Sequence, residues 1–330
     1  MNEPEISVVI AALNGPQLLF ECFRGLAEQS LGRERFEVVL VDDCSPKPLD
    51  EVAERARTEL GLTVRYARTQ VGRGPGPARN LGASLARAPI LAFTDNDTRP
   101  DPEWLAAGLA AFADPKVALV AGPCLPKPGQ PMGLTSKMHF IYEEHPCFPT
   151  MNVFYRRVVF EAQGGFDNTF CARDPLGRAA DATDCDLGWR VIKAGHARRF
   201  IPEAVIYHEV ENLGVLGYVL EPTRHFFVPL LVHRHPELRS VLLTARLFFY
   251  PATWLVYLAL IVVALAATIE PWLLLLLPAM LLARGIVRTR SLRPDKLMWW
   301  CASALLQLAR NFVASLTFAY ASVRFRALVL

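Results

Sequence analysis

The sequence predicts an α/β fold: a doubly wound, mostly parallel sheet with helices on both faces, followed by C-terminal transmembrane or interfacial helices. Three observations carry this. Short β-branched or apolar runs alternate with stretches of helical periodicity up to about residue 210, several of those runs end abruptly in carboxylates, and the charge balance changes near Ser240. Nine of the 35 basic residues but only two of the 32 acidic ones follow Ser240, so an acidic front is joined to a basic, very apolar back. The 52% hydrophobic content therefore comes partly from a membrane-type tail rather than from one large core.

The elements follow in order. Ile6 to Leu13 is a β-branched run stopped by Asn14-Gly15-Pro16, after which Leu18, Leu19, Cys22, Phe23 and Leu26 recur at helical spacing. Phe36 to Val41 reads as a second strand entering Asp42-Asp43, and Leu49 to Leu60 as a helix stopped by Gly61. Thr63 to Ala67 is a third short strand, and the glycine-proline loop Gly72 to Pro77 then sets Arg79 and Asn80 at a helix start. The fourth apolar run begins at Ile90 and ends in Asp95-Asn96-Asp97. Ligands of open α/β sheets sit outside the carboxyl ends of the strands, and alternation puts Asp95 and Asp97 on roughly one side. Such a pair suits Mg²⁺ or Mn²⁺ shared with substrate phosphates. A plain turn leading into Asp101-Pro102-Glu103 as a helix start satisfies the same residues.

Trp104 to Phe112 reads as a helix, Val117 to Ala121 as a strand and Gly122 to Gly133 as a loop. Met151 to Tyr155 is a further strand, and Val158 to Ala162 a short helix closed by Gly164-Gly165-Phe166-Asp167. Cys171 to Ala182 reads as a mobile, polar loop feeding a helix whose first turn holds Asp184 and Asp186, where acids also answer the helix dipole. Ala204 to Glu209 is a last strand containing His208.

Several chemistries are excluded. The seven cysteines form no C-x-x-C pair and no close framework, which removes zinc and disulfide readings. Gly72 to Pro77 lacks the order of a phosphate-binding P-loop, and no dinucleotide fingerprint follows the first strand, against a nicotinamide or flavin enzyme. No nucleic-acid partner is indicated. The acidic N-terminus and its short apolar run lack the form of a signal peptide, so the front domain is expected in a reducing cytoplasm.

Beyond residue 210 the pattern changes. Residues 211–245 mix broken apolar runs with Arg224, His225, His233, Arg234 and His235, as an amphipathic segment at a membrane surface does. Leu247 to Ile269 is an uncharged stretch of 23 residues and predicts a transmembrane helix, with a second at about 271–287. Arg284, Arg288, Arg290, Arg293 and Lys296 follow, whereas Glu270 alone lies between the spans, so the hairpin tip is placed outside and the front domain in the cytoplasm. A third apolar stretch, 297–323, carries a small, polar stripe that includes Gln307 and Arg310, and both a crossing and an interfacial position stay open. The expected organisation is a catalytic domain at 1–210, an interfacial segment at 211–245 and a membrane region at 246–330, in a multi-pass protein of the plasma or inner membrane.

The order of these motifs resembles family 2 glycosyltransferases of the GT-A fold. The resemblance rests on Ser7-Val8-Val9-Ile10 with Asn14, Val41-Asp42-Asp43-Cys44-Ser45, Ala78-Arg79-Asn80-Leu81-Gly82, Asp95-Asn96-Asp97, Gly164-Gly165-Phe166-Asp167, Thr183-Asp184-Cys185-Asp186-Leu187 through Arg190, and Tyr207-His208-Glu209. It covers about residues 5 to 210. It implies a nucleotide-sugar site built from Asn14, Asp42, Asp43, Arg79, Asn80, Asp95, Asn152 and Arg224, with Asp42 and Asp43 at the base and ribose. It further implies a metal held by Asp95, Asp97 and His208, and Asp184 as general base. Three departures stand out: Ala11-Ala12-Leu13 replaces the family's aromatic-containing turn, Thr183 replaces a Glu, and Glu221-Pro222-Thr223-Arg224-His225 keeps only the arginine of the motif of processive members.

The expected activity is metal-assisted, inverting transfer of a sugar from a nucleotide sugar, a UDP-sugar first, to a lipid or lipid-linked glycan. One base and no second marked nucleophile point to a single displacement. The alternatives are a nucleotidyltransferase, which needs a basic loop after the first strand where Leu13 to Gln17 has none, and a non-catalytic membrane scaffold.

Overall fold

The computed structural model describes residues 3–289 and 293–330. Arg290, named above in the basic loop, lies outside them. The chain divides into two compact units: Met1–Met132 with Lys137–Glu211, and Gly133–Ser136 with Asn212–Leu330.

The first unit is an α/β sandwich. In chain order it runs β1 (Ile6–Ala12), α1 (Pro16–Ala27), β2 (Phe36–Asp42), α2 (Asp50–Leu60), β3 (Val64–Arg68), α3 (Pro75–Leu85), β4 (Ile90–Asp95), β5 (Thr98–Pro100), α4 (Trp104–Ala110), β6 (Val117–Ala121) and β7 (Cys124–Pro126). After β8 (Ser136–Lys137) come β9 (Val153–Arg156), α5 (Arg157–Ala162), β10 (Cys171–Arg173), β11 (Ala179–Asp181), α6 (Thr183–Lys193), β12 (Ala197–Phe200), β13 (Ile206–His208) and β14 (Glu211–Asn212).

Seven strands make the main sheet in the order β12-β6-β9-β4-β1-β2-β3. β1 pairs in parallel with β2 and β4, β2 with β3, and β12 with β6, while β9 enters antiparallel between β4 and β6. Both faces are covered, which is why β1, β2 and β4 read as continuous apolar runs rather than alternating ones. Val8, Ile10, Val38 and Leu40 face one core with Phe23 and Trp104, and Val9, Val39, Phe93 and Tyr155 the other with Phe160 and Phe166. Gly82 allows α3 to lie close on the second face, since a Cβ there would meet Val9 Cγ1 at 2.5 Å.

Two local expectations change. Pro75 to Pro77, read as loop, already belong to α3, because a proline costs nothing at a first helical position whose N–H has no partner anyway. The expected loop Cys171 to Ala182 is largely the antiparallel hairpin β10–β11, whose tip is held by Asp174 Oδ1 accepting from Leu176 N and Arg178 N, each at 2.8 Å.

The second unit is helical: α7 (Gly214–Leu220), α8 (Val228–Arg234), α9 (Leu238–Val241), α10 (Trp254–Thr268), α11 (Leu276–Thr289) and α12 (Pro294–Phe325). Here the transmembrane hairpin needs correction, since no helix among the described residues is both long and apolar enough to cross a membrane. The stretch 247–269 yields only the 15 residues of α10. That is about 22 Å at the helical rise, short of a hydrocarbon core of about 30 Å. The physical reason lies before it: the backbone turns from Thr244 to Phe248, Phe249 N donates to Leu330 O, and Pro251 follows. Its successor divides into a short 3₁₀ turn, Pro271–Leu275, and the 14-residue α11. α12 is long enough at 32 residues but insufficiently apolar, and its stripe faces protein. Gln307 accepts from Tyr218 Oη at 2.8 Å, and Arg310 pairs with the buried Glu221 at 2.6 Å beneath the Tyr250 ring.

Candidate active site

The carboxyl ends of β1, β2 and β4 converge on the candidate site. After β1, Asn14 takes a left-handed conformation at φ 64° and its N–H donates to Ser45 Oγ at 2.8 Å, while its carbonyl accepts from Asn96 Nδ2 at 3.3 Å. This ties the first loop to those after β2 and β4.

Asp42 and Asp43 both work on the fold. Asp42 is fully buried, accepting from Ser45 N at 2.7 Å through Oδ1, and from Leu49 N, Tyr66 Oη and Arg68 Nη1 through Oδ2. Burial acts to raise its carboxyl, yet the bonds led by Ser45 prevail and hold it below its ordinary value. Asp43 pins the entry to α3, accepting from Thr69 Oγ1, Arg73 N and Gly74 N at 2.8–3.2 Å. Both Asp42 oxygens are thus engaged by the loop after β2 and by β3.

Asn80 and Asn152 are likewise consumed. The Asn80 amide makes a reciprocal pair with the Phe166 backbone, donating at 2.8 Å and accepting at 2.9 Å. Asn152 is 3% exposed, accepts from Trp104 Nε1 and donates to the carbonyls of Pro123 and Ala204. Each amide thus spends its bonds on the fold, as a recessed amide fills them from the nearest backbone or ring N–H. Arg224 belongs to the second unit and is exposed in the turn Glu221–His225.

The metal-type residues do come together. Asp95, Asp97 and His208 each present a ligand atom, all within 4.8 Å of one another. β13 pairs antiparallel with β5, setting His208 opposite Thr98 and thus beside the turn that carries Asp97. His208 Nδ1 lies 2.9 Å from Glu209 O, a carbonyl that can only accept from it, which leaves Nε2 as the nitrogen turned to Asp97 Oδ1, 3.4 Å away. Asp97 Oδ1 is buried with no hydrogen-bond donor. An orphaned carboxylate oxygen facing a ligand-type imidazole and a second carboxylate fits a divalent cation. The two acids are pushed apart: burial first, then Asp95, raises Asp97, whereas Arg79 and His208 overcome burial to lower Asp95.

Arg79, 6% exposed, spans the site, donating to Asp95 Oδ1 at 2.8 Å and to Asp181 Oδ2 at 3.4 Å. Asp181 also accepts from Thr183 N at 2.9 Å, so the hairpin end and the start of α6 are fixed together. Asp184 follows in the first turn, recessed but not sealed, with Oδ1 accepting from Cys185 N at 2.7 Å. Burial, then the charges of Asp181 and Cys147, push its carboxyl up to about 8. Asp186 is fully buried and paired with Arg190 Nε at 2.7 Å, and Arg190 reaches on to the carbonyls of Gln163 and Gly165. Two residues escape the sequence reading. Asp181 sits inside a stretch read as loop, and His139, whose ring packs edge-on to His208 at 4.9 Å, is a lone histidine in an irregular segment.

Comparison with known proteins bears on the family and the fold. A sequence model described as glycosyl transferase family 2 matches residues 7–166, and one described as glycosyl transferase family group 2 matches residues 90–287. The pre-mycofactocin glycosyltransferase of Mycobacterium tuberculosis is 29% identical over 222 residues, 62% of this chain and 43% of that protein. This chain thus spans less than half the length of that relative. Glycosyltransferase AglE of Haloferax volcanii is 26% identical over 224 residues, 64% of this chain and 69% of that protein. Among solved structures, a mannosyltransferase from Pyrobaculum calidifontis, in complex with GDP-Man and Mn²⁺, aligns over 98% of this chain and 88% of its own, with a TM-score of 0.58 at 20% identity. That likeness is one of fold, a GT-A-like α/β sheet. With more than half of its 330 residues matched by the second of those models, the chain belongs to glycosyl transferase family group 2.

Proposed function

We propose that this chain is an inverting, metal-assisted glycosyltransferase that moves a sugar from a nucleotide sugar, a UDP-sugar first, to a hydroxyl of a lipid or lipid-linked glycan at a membrane surface. The observation that carries this reading is the division of labour among the acids. Asp95, Asp97 and His208 form a cation-type cluster, while Asp184 stands on a separate element as a carboxyl that takes and gives a proton near neutrality. A bound divalent cation, Mn²⁺ in preference to Mg²⁺ given the imidazole in the donor set, would neutralise charge building on the departing diphosphate.

This chain's own residues supply the rest. Arg79 holds Asp95 in place and adds positive charge on the diphosphate side. Asp184, ionised, takes the proton of the acceptor hydroxyl as that oxygen forms its bond to the anomeric carbon and the nucleoside diphosphate departs from the opposite face. One displacement inverts the anomeric centre. The hairpin β10–β11, tied to Arg79 through Asp181, excludes water from the reacting carbon.

The membrane reading becomes interfacial. In the second unit Trp254, Ile261, Ile269, Trp272, Leu275 and Val323 are each at least 45% exposed, apolar surface that suits the headgroup–acyl boundary better than water. The basic residues of 211–245 would meet anionic headgroups on the cytoplasmic face of the cell membrane.

The test uses the purified full chain with Mn²⁺, a panel of UDP- and GDP-sugars and a lipid extract, following nucleoside diphosphate release and labelled sugar in the lipid phase. Release from one donor with label in lipid is expected. No release from any donor overturns transfer, and pyrophosphate formed from a nucleoside triphosphate and a sugar 1-phosphate would favour nucleotidyl transfer. Flotation with anionic vesicles tests the membrane part: protein remaining with the soluble fraction refutes it.

A further inference from the structure

The backbone of His208 is fixed more firmly than its ring. β13 lies between β5 and β7, and Lys127 N donates to His208 O at 2.9 Å. The ring itself has the contact of Nδ1 with Glu209 O at 2.9 Å. The torsion that turns an imidazole about its own bond is broad, without deep staggered wells. One hydrogen bond therefore pins one edge of the ring and leaves its tilt to whatever packs against it.

His139 packs there. The two ring centroids lie 4.9 Å apart with their planes at 62°. Backbone pairing builds this contact. Ile141 N donates to Cys124 O at 2.9 Å and Cys124 N to Ile141 O at 3.0 Å, an antiparallel bridge onto β7. Two residues along β7 from Cys124, Pro126 stands opposite His208, and two residues back from Ile141 is His139. On its other side Lys137 pairs with Glu211 at 3.5 Å, so His139 sits between two anchors. Alternation along this extended segment leaves His139 and Ile141 half-buried and Phe140 51% exposed.

We propose that His139 is a positioning residue of the cation cluster: packed edge-on against His208, it sets the angle of that imidazole so that Nε2 meets a divalent cation held by Asp95 and Asp97. The role runs through His208, because the ligand atoms within 4.8 Å of one another belong to Asp95, Asp97 and His208 and not to His139. It rests on the reading of those three residues as a cation site. Neighbours that orient a metal-ligating histidine carry about 10- to 100-fold in metal affinity.

The full chain would be titrated with Mn²⁺ in the presence of UDP, and separately of GDP, following free Mn²⁺ by electron paramagnetic resonance, with thermal melts alongside. His139→Ala should weaken Mn²⁺ binding by about 10- to 100-fold with little change in melting, and excess Mn²⁺ should restore kcat. His139→Phe keeps a ring at that place without its nitrogens and should bind Mn²⁺ within about threefold of the wild type. Phe140→Ala, one residue away and outside the ring contact, should bind as the wild type does. Equal Mn²⁺ affinity in His139→Ala and the wild type overturns the role. So does His139→Phe binding as weakly as His139→Ala, which would assign the effect to an imidazole nitrogen, and so does a loss of binding matched by loss of the folded state. A wild type that holds no Mn²⁺ with either nucleotide removes the cation cluster and this role together, and it is seen before any substitution is made.

Discussion

Replacing Asp184 by Asn separates catalysis from stability in one variant. The side chain keeps its shape and can still accept from Cys185 N, so donor and metal binding should persist. Proton removal is lost, and transfer should fall by about 10² to 10⁴, the usual share of a general base. The stability effect has the opposite sign. Burial raises the folded carboxyl from 3.8 to about 8, so between those values the unfolded chain releases a proton that the folded one retains. Stability is therefore fully present below pH 4, declines as pH rises, and levels off above about 8. Four pKa units correspond to on the order of 5 kcal/mol, and residual exposure of the carboxyl cuts this to on the order of 3 kcal/mol. Asn carries no such penalty. Asp184→Asn should therefore melt higher than the wild type, by a margin larger at pH 8 than at pH 5. Wild-type kcat/KM should climb with pH through about 8 and level off above it, and the residual rate of the variant should lack that limb. The assays are thermal melts of the full chain at both pH values and a pH series of transfer. A variant that keeps transfer within tenfold of wild type, or whose melting advantage is no greater at pH 8, refutes the assignment.

Asp97→Ala should abolish Mn²⁺-dependent binding of a nucleoside diphosphate with little change in melting, since its Oδ1 carries no hydrogen bond to lose; titration calorimetry decides, and undiminished binding removes the metal role. Asp186→Asn should cost about 3 kcal/mol by leaving the Arg190 charge half-buried without its carboxylate. Chemical denaturation measures that loss, and donor affinity should be unchanged in the folded fraction. Asn80→Ala leaves the Phe166 N–H and C=O without partners and should cost about 2 kcal/mol in the same assay.

How far the sequence carried depended on whether a residue's task was local. β6 was legible at its boundaries, and α2 and α5 within a residue, because periodicity and stop signals such as Gly61 act within a few positions. The antiparallel sense of β9 was not, since the direction of a strand depends on partners far along the chain. β12, Ala197–Phe200, was missed because its arginines mask an edge strand. The transmembrane hairpin failed for a related reason. Hydropathy counted 23 apolar residues from Leu247, but the bend at Thr244 to Phe248 and the pairing of Phe249 with Leu330 depend on tertiary contacts.

At the site the motifs were legible while the division of labour inside them was not. Arg79-Asn80, Gly165-Phe166 and Asp184 through Arg190 meet at one knot, where Asn80 grips the Phe166 backbone and Arg190 the carbonyls of Gln163 and Gly165. Each motif therefore pairs residues with different partners: Asn80 holds the Phe166 backbone while Arg79 turns to Asp95, and Asp186 pairs with Arg190 while Asp184, two positions earlier, is only partly buried. Helical geometry requires the split, because adjacent residues on α3 and residues two apart on α6 point to different sides. A letter string cannot say which side is which. Hydrogen-bond saturation says more: Asp42, Asn80, Asn152 and Asp186 spend their polar atoms on the fold, whereas Asp97 Oδ1 has no hydrogen-bond donor.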